Sequence, residues 1–295
     1  MIDYRYHALS LAAVLFALAL GVLIGVAIGD SNVVSSAKNG IVHSLKSEVA
    51  QSQREAAHLQ EQVYEEEALA SGLYPLAVHE QLTGRSIGLV FFGASSDRLN
   101  SLVRSAVTQA GASLAVVAAV REPLQLEAIA REASGTHYAG LTGSVELVSA
   151  FGRLAGRELV SGGPLVGRDL LSRVRASLLS AFDGQLGRLE GLVVVHADPA
   201  GMTPAQALAS SAFETGLLAG VSGAGATAVG VELRGAQPSQ VPWYKTHGIA
   251  SVDDLDTLAG QAALPFALAG DHGAFGLDPS AESLLPGVPA SGAGS

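Results

Sequence analysis

The stretch ALSLAAVLFALALGVLIGVAI, from Ala8 to Ile28, decides how the rest of the chain is arranged. It carries no charged residue, and Ser10 is its only hydroxyl side chain. As a helix it would be about 31 Å long, at about 1.5 Å of rise per residue, which matches the hydrocarbon core of a bilayer. We therefore predict that this stretch is a transmembrane helix rather than a helix buried in a soluble core.

A cleaved signal peptide is the main alternative for this stretch. Ala27 and Gly29 place small residues just before Asp30, where a signal peptidase would cut. The apolar run is longer than the roughly 7 to 15 residues of a typical signal-peptide core. The length favours an uncleaved signal anchor.

The charges that flank the span predict its orientation. Arg5 precedes it, whereas Asp30 follows it and the next basic residue is Lys38. Basic residues stay on the cytoplasmic side of a membrane. We expect residues 1–7 in the cytoplasm and the bulk of the chain on the extracytoplasmic side, in the cell envelope.

Glycine recurs every fourth residue late in the span, at Gly21, Gly25 and Gly29. This spacing puts the three glycines on one helical face, where a second helix can approach closely. The stripe therefore predicts pairing with another copy. The alternative is that these glycines reflect composition alone, because glycine is common in membrane helices.

Residues 30–73 have the pattern of a long polar helix with a narrow apolar seam. Apolar residues fall at the a and d positions of a heptad, which is typical of a two-stranded coiled coil. Ser52 and Glu66 interrupt the seam, so a single helix that packs on its own domain stays open as the alternative. The predicted seam residues are Val42, Leu45, Val49, Leu59 and Val63.

Composition excludes several classes of function. The formal net charge is −10, and no cluster of basic residues offers contacts to phosphates, so we expect no nucleic-acid partner. The chain contains no cysteine, which excludes disulfides, thiolate catalysis and thiolate metal sites. The apolar fraction of 48% is enough for a sizeable core, so broad disorder is not expected.

From 84 to 278 the chain alternates between strand and helix patterns. Continuous apolar runs predict buried strands at 87–92, 114–120, 192–195, 227–233 and 262–268. Helical spacing predicts helices at 98–109, 124–133, 145–159, 165–182 and 203–218. The order is typical of an α/β domain with a mostly parallel, Rossmann-like sheet flanked by helices. Residues 279–295, rich in Pro, Gly, Ala and Ser, are predicted to be a flexible tail.

Three polar segments follow predicted strands, and ligands of open α/β sheets bind beyond the carboxyl ends of strands. Imidazole and carboxylate groups there could hold a divalent metal or support acid–base chemistry. The alternative is that these loops are merely polar, as in most α/β domains. The candidate ligand or metal residues are Asp97, His196, Asp198, Asp271 and His272.

Motifs of the common enzyme classes are missing from the sequence. There is no G-x-G-x-x-G after the first strand, no Walker pattern and no G-x-S-x-G elbow. We therefore predict no catalytic residues, no evident cofactor and no enzymatic activity.

A second acidic cluster comprises Asp253, Asp254 and Asp256. A calcium loop needs more oxygen ligands and a suitably placed turn glycine. We predict a structural role in capping turns, with Trp243 and Tyr244 pinning the loop to the domain.

Several motifs taken together are similar to those of one known family. They are RYHALSLAAV at 5–14, LALGVLIG at 18–25, SVDDLD at 251–256 and GAFG at 273–276. With the heptad helix and the α/β domain between them, the chain resembles the actinobacterial copper transport protein family. The resemblance implies a cell-envelope protein that acts in copper efflux as a pore-forming outer-membrane exporter. It makes copper a possible ligand and assigns no catalytic or ligand residues.

The residues themselves favour a different mechanism. A transmembrane barrel needs segments of about ten residues that alternate in polarity, whereas this chain has continuous apolar runs between amphipathic helices. Soft copper sites prefer Cys and Met, and Met202 is the only methionine after Met1. Three hypotheses remain: a dimeric, membrane-anchored protein whose external α/β domain binds a small ligand or an envelope partner, a pore, and an envelope enzyme that uses the strand-end residues.

Overall fold

A computed structural model of the chain describes residues 4–28, 31–162, 170–197 and 201–287. Contacts divide the chain into two units, Met1–Ala68 and Leu69–Ser295.

The first unit begins with helix α1, Tyr4–Ile28. Its segment Tyr6–Ala27 is the one helix in the described chain that is long and apolar enough to cross a membrane, and none of that segment is buried. A Cβ atom built on Gly21 or Gly25 would meet nothing within 4 Å, so this face is open, whereas Gly29 lies outside the described residues. The predicted span is therefore a single apolar helix.

Helix α2 runs without interruption over Ser31–Val78. The predicted helix ends at residue 73, whereas α2 continues past Pro75 to Val78. Proline lacks an N–H donor and clashes with the preceding turn, so a helical ending beyond it needs tertiary support. Tyr74 and Val78, both buried in the core of the second unit, supply that support.

The seam residues of α2 are solvent-exposed in the single chain. The exposed fractions of Val42, Leu45, Val49, Leu59 and Val63 range from 41% to 61%. Coiled-coil pairing through this seam stays a prediction.

The second unit is built on a sheet of seven described strands in the order β3-β2-β1-β4-β5-β6-β7. All neighbouring strands pair in parallel except β2 and β3, which are antiparallel. The strands are β1 Ser86–Phe92, β2 Ser113–Val120, β3 Leu179–Gly184, β4 Gly191–Val195, β5 Thr227–Val231, β6 Ala250–Val252 and β7 Ala274–Phe275.

Helices cover both faces of this sheet. They are α3 Asp97–Gln109, α4 Leu126–Glu132, α5 Val145–Ser161, α6 Leu170–Leu178, α7 Pro204–Gly223, α8 Val241–Thr246 and α9 Leu258–Ala269, with a 3-10 helix at His137–Gly143. One core packs α3, α9 and the end of α2 on the sheet, and a second packs α4 to α8 on the opposite face. The predicted α/β class and mostly parallel sheet are confirmed, and the Rossmann-like assignment stays a prediction.

Helices α5 and α7 pack together through glycines. A Cβ atom on Gly152 would collide with the carbonyl oxygen of Phe213, and one on Gly216 with that of Ser149. The two backbones are therefore in direct contact. Helix α7 also begins with a capping box in which Thr203 and Gln206 satisfy each other's backbone N–H groups. These features fix the position of α7 against the sheet.

The predicted strand at 262–268 is wrong, because this segment belongs to helix α9. A short, continuous apolar run cannot be assigned to strand or buried helix from periodicity alone. The local signal for a helix is Thr257, whose hydroxyl accepts a hydrogen bond from Gly260 N and caps the first turn. Pro265 lies inside this helix.

The predicted helix at 165–182 is also wrong in part. Residues 165–169 lie outside the described residues; in the described part of this range a helix spans Leu170–Leu178, and the chain then continues directly into the antiparallel edge strand β3. Strands β6 and β7 have three and two residues and are too short to give a sequence pattern.

Part of the predicted flexible tail is packed on the domain. Glu282 N donates a hydrogen bond to Ala274 O at 2.7 Å, and Phe275 forms a bridge with Ser283. The ordered chain therefore extends past 278 as far as Gly287, and residues 288–295 are outside the described part.

Candidate functional site

The structure separates the predicted strand-end residues. His196 follows β4, and Asp97 opens α3 after β1, so both belong to the carboxyl edge of the sheet. Asp271 and His272 precede β7 and therefore lie at its amino end. They were expected at the carboxyl end because 262–268 was taken for a strand.

The five predicted residues therefore do not form one cluster. Asp198 lies outside the described residues. Over the ranges that the structure describes, no group of three His, Asp or Glu side chains is arranged to hold a metal ion. The sheet does not support a metal site built from both histidines, because His196 follows β4 whereas His272 precedes the parallel strand β7, and such a site stays a prediction.

His196 lies instead at the centre of a buried polar network. Its backbone N–H donates to the hydroxyl of Tyr244 at 3.0 Å, and that hydroxyl donates to Val231 O. Its ring stacks on Trp243 at a centroid distance of 4.1 Å. Trp243 and Tyr244 therefore contact His196. The sequence had suggested instead that they pin the acidic loop to the domain.

The hydrogen bonds assign the proton on one nitrogen of His196. Gln240 Nε2 donates to Pro238 O at 3.1 Å, which leaves Gln240 Oε1 facing His196 Nδ1 at 2.7 Å. Because an amide oxygen only accepts, Nδ1 carries a hydrogen. The other nitrogen, Nε2, then faces Glu214 Oε2 at 3.5 Å. The imidazole and the carboxyl group therefore form a buried pair.

Glu214, on α7, is as deeply buried as His196, and each side chain is 4% exposed. Burial raises the pKa of Glu214, but hydrogen bonds to His196 and Glu122 and the positive charges of His196 and His247 outweigh it, so the pKa is lowered. The lowered pKa favours the carboxylate form of Glu214, and this form attracts positive charge on the neighbouring His196.

Glu122 extends the network to a third group. Its carboxyl hydrogen-bonds to Glu214, and a bond between two carboxyl groups requires one proton. The lowered pKa of Glu214 favours its carboxylate form, which is the form that accepts this hydrogen bond. His196, Glu214 and Glu122 thus form a chain that we call the proton chain.

A further carboxyl group supports the other side of the imidazole. Glu232 follows β5 and accepts hydrogen bonds from Gln240 N at 2.6 Å and Ser239 Oγ at 2.7 Å. Burial raises the pKa of Glu232 although both hydrogen bonds oppose the shift. This interaction orients Gln240 and hence the ring of His196.

Glu122 also faces an open cleft of about 670 Å³. The cleft lies where β1 and β2 end, and it is lined by Gly93, Arg121, Glu122, Arg131 and Gln206 among others. Gly93 has a φ of +99°, and a Cβ atom there would lie 3.6 Å from Glu122 Oε2. The cleft can hold a small polar ligand, and Glu122 links it to the buried part of the proton chain.

Sequence reasoning missed Glu122 and Glu214. Glu122 comes two residues after β2, in the same strand-end position as the polar residues that were selected. Glu214 is the only charged residue in the 20 residues of α7, an isolated acid in an apolar helix. Both features are visible in the sequence, but no sequence pattern indicates that Glu122 and Glu214 lie close to His196.

The acidic cluster at 253–256 is occupied by protein donors. Asp253 accepts hydrogen bonds from Leu277 N at 2.9 Å and Asp278 N at 3.1 Å. Asp254 accepts from the hydroxyl of Thr257, and Asp256 from the guanidinium of Arg98. These contacts are those of a turn-stabilising cluster.

A family model matches nearly the whole chain. The family described as copper transport outer membrane protein, MctB, matches residues 1–286. No individual curated protein matches the chain. Because the family match includes the apolar helix, the long polar helix and the α/β domain, the chain belongs to the MctB family of copper transport outer membrane proteins.

Proposed function

We propose that this member of the copper transport family is a single-pass, membrane-anchored envelope protein whose external α/β domain binds a small polar ligand or an envelope partner. The observation that carries the proposal is the cleft at the carboxyl edge of the sheet, with Glu122 at its wall. In open α/β sheets this edge is the usual place for ligands.

The anchor is α1, and its flanks favour an external domain. Arg5 precedes the apolar segment, and Asp30 follows it. Under the positive-inside rule this places the residues after the span on the extracytoplasmic side. Because the apolar segment of α1 is longer than the core of a typical signal peptide, α1 is proposed to stay uncleaved as a signal anchor.

The stalk is proposed to be a parallel homodimer of α2. The seam residues are between 41% and 61% exposed, although they are aliphatic and recur at heptad spacing. Such a stripe is stabilised by burial against an identical stripe. Anchors in one membrane would hold both copies in the same orientation and raise their effective concentration. Pairing of the Gly21 and Gly25 faces would be compatible with this arrangement.

The domain is proposed to have a Rossmann-like strand order, with β1 as the point where the order reverses. The chain passes from β1 to β2 on one side and later to β4 on the other. His196 and the cleft both lie at the carboxyl edge near this reversal. Glu122 can donate its proton to a ligand in the cleft while Glu214 and His196 hold the compensating charges.

A direct copper site is poorly supplied with donors, which favours an indirect role in copper tolerance. The sequence has no cysteine. The sulfur of Met202 already accepts a weak hydrogen bond from the hydroxyl of Ser210 at 3.8 Å. Both ring nitrogens of His196 are engaged by protein groups.

Copper-tolerance assays in cells that lack the protein test this function. The parent chain should restore growth on copper, whereas Glu122→Ala should not, because it removes the proton at the cleft wall. Glu127→Ala is the matched control, since Glu127 also lines the cleft but is not part of the proton chain. Equal growth with both variants would contradict a role for the proton chain.

The pore implied by the family description is the alternative, and conductance separates the two functions. Purified full-length chain in a planar bilayer should show no stepwise copper or potassium current. Reproducible channels that disappear when α1 is removed would favour the pore.

A further inference from the structure

A second cavity, of about 320 Å³, is lined by residues other than those of the proton chain. It is enclosed by strands β1 to β3 on one side and by helices α5, α6 and α7 on the other. Its walls are mostly apolar, and the residues that define its interior are Val90, Ala118, Leu171, Leu178, Phe213 and Leu217. We call it the apolar cavity.

One acid lines this cavity. The residue Glu158, on α5, is only 8% exposed, and its Oε1 atom has no hydrogen-bond partner among the residues that the structure describes. A buried polar atom without a hydrogen-bond partner destabilises the folded state, so such atoms call for an explanation. An oxygen-bearing ligand in the cavity would supply the missing partner.

The protonation state of Glu158 defines the kind of partner. Burial raises its pKa, and the nearby positive charge of Arg157 opposes this only in part. The neutral acid has an O–H group that can donate to an uncharged oxygen. A ligand carboxylate beside Glu158 would face a second acid there, because the guanidinium of Arg175 lies beside the Phe182 ring instead.

The mouth of the cavity is bordered by exposed residues. Leu186 is 51% exposed, and Arg175 places its guanidinium 5.4 Å from the centre of the Phe182 ring. An exposed leucine and an aromatic ring at the mouth give an apolar entrance. At roughly 30 Å³ per small group, the volume admits on the order of ten methylene-sized groups.

We propose that the apolar cavity binds an uncharged single-chain amphiphile, of the size of a medium-chain alcohol, whose oxygen accepts a hydrogen bond from Glu158. This site is separate from the cleft of the proposed function and does not depend on it. It would give the domain a second specificity, for apolar molecules rather than polar ones.

Photolabelling of the full-length chain in phosphatidylcholine nanodiscs tests the site. The probe is 1-decanol with a diazirine near the end of its chain. Peptides from α6 and β3 should be labelled in the parent, and unlabelled decanol should compete better than decane. Leu171→Trp should abolish this labelling by filling the cavity, whereas Leu208→Trp, on an exposed part of α7, should leave it unchanged.

Two variants of Glu158 test the hydrogen bond itself. Glu158→Gln keeps a donor and should retain the preference for decanol over decane. Glu158→Leu removes the donor and should reduce that preference about tenfold, as expected for the loss of one buried hydrogen bond. Circular dichroism before labelling identifies any variant that is unfolded.

Three results would overturn the proposal. The first is labelling confined to α1, which would show partition into the membrane only. The second is equal labelling of the parent and Leu171→Trp. The third is an unchanged decanol preference in folded Glu158→Leu.

Discussion

Replacement of Glu214 should show that the proton chain is held by charge and hydrogen bonding together. In Glu214→Leu, the positive charge that we assign to His196 loses its partner while the imidazole stays buried, because each side chain is only 4% exposed. Removing one member of a buried ion pair costs about 3 to 5 kcal/mol. Glu122 would also lose the acceptor for its proton, so we expect the upper part of that range.

Glu214→Gln should cost far less. Its amide nitrogen can donate to Nε2 of a neutral His196, and its amide oxygen can accept from Glu122. Both contacts are then satisfied without a charge. We expect a loss of about 1 kcal/mol, on the scale of one ordinary hydrogen bond.

Thermal unfolding followed by circular dichroism measures the difference. For a domain of this size about 1 kcal/mol shifts Tm by roughly 2 to 4 °C, so a loss of about 4 to 5 kcal/mol in Glu214→Leu should lower Tm by about 8 to 20 °C. The matched control is Glu282→Gln, which breaks a 2.7 Å ion pair with Lys245 in which both side chains are more than half exposed. Exposed pairs are worth about 0 to 1 kcal/mol, so its Tm should hardly change. Equal losses in Glu214→Leu and the control, or equal losses in the Leu and Gln variants, would refute the reasoning.

Three other predictions concern the anchor, the stalk and the acidic turn. A chain that begins at Asp30 should leave the membrane fraction, and a continuing need for detergent would contradict a single anchor. That shortened chain should sediment as a dimer. The double variant Leu45→Glu with Leu59→Glu should sediment as a monomer, because like charges in a buried seam cost several kcal/mol. A parent that is monomeric at tens of micromolar would contradict pairing through the seam. Burial raises the pKa of Asp253 to about 6 from an ordinary value of 3.8, so this group stabilises the fold most when protonated and its contribution falls as the pH rises from about 4 to 6. Asp253→Asn should flatten the pH dependence of Tm over that interval, and a curve unchanged from the parent would disprove the shift.

Acid should act on Glu214 in the opposite direction. A lowered pKa means that the folded protein favours the carboxylate, so its stabilising contribution is complete above the ordinary value of 4.5 and is lost as the pH falls through the lower folded value. The contributions of Asp253 and Glu214 are therefore separable by pH. Asp253 changes stability mainly between about pH 4 and 6, whereas Glu214 does so below about pH 4.5.

The sequence was sufficient for the class of fold because its strongest signals are long. The apolar stretch, the heptad seam and four of the strands each have enough residues to show a period or a continuous run. The predictions of secondary structure failed where a segment was short or where its pattern fitted both a helix and a strand. Strands β6 and β7 have three and two residues, and the apolar run at 262–268 fits a buried helix as well as a strand.

That one wrong strand determined what could be predicted of the site. With 262–268 as a strand, His272 would have stood beside His196 at the carboxyl edge. As helix α9, the segment returns the chain to the other edge, and His272 precedes β7. The real neighbours of His196 come from a loop after β2 and from the middle of α7, and only the packing of α7 on α5 brings Glu214 to the imidazole.

The proton chain is more readily explained by ligand binding than by stability. A buried ion pair generally adds little stability beyond what apolar side chains of the same shape would supply, because desolvation offsets the attraction. A core with leucines in place of His196 and Glu214 would hold β4 and α7 together equally well. Leucine side chains, however, could not supply a proton to the cleft through Glu122. They also could not hold compensating charges in the buried part of the proton chain. The free-energy cost of burying three ionisable groups is therefore consistent with a site whose ligand interacts with the proton of Glu122.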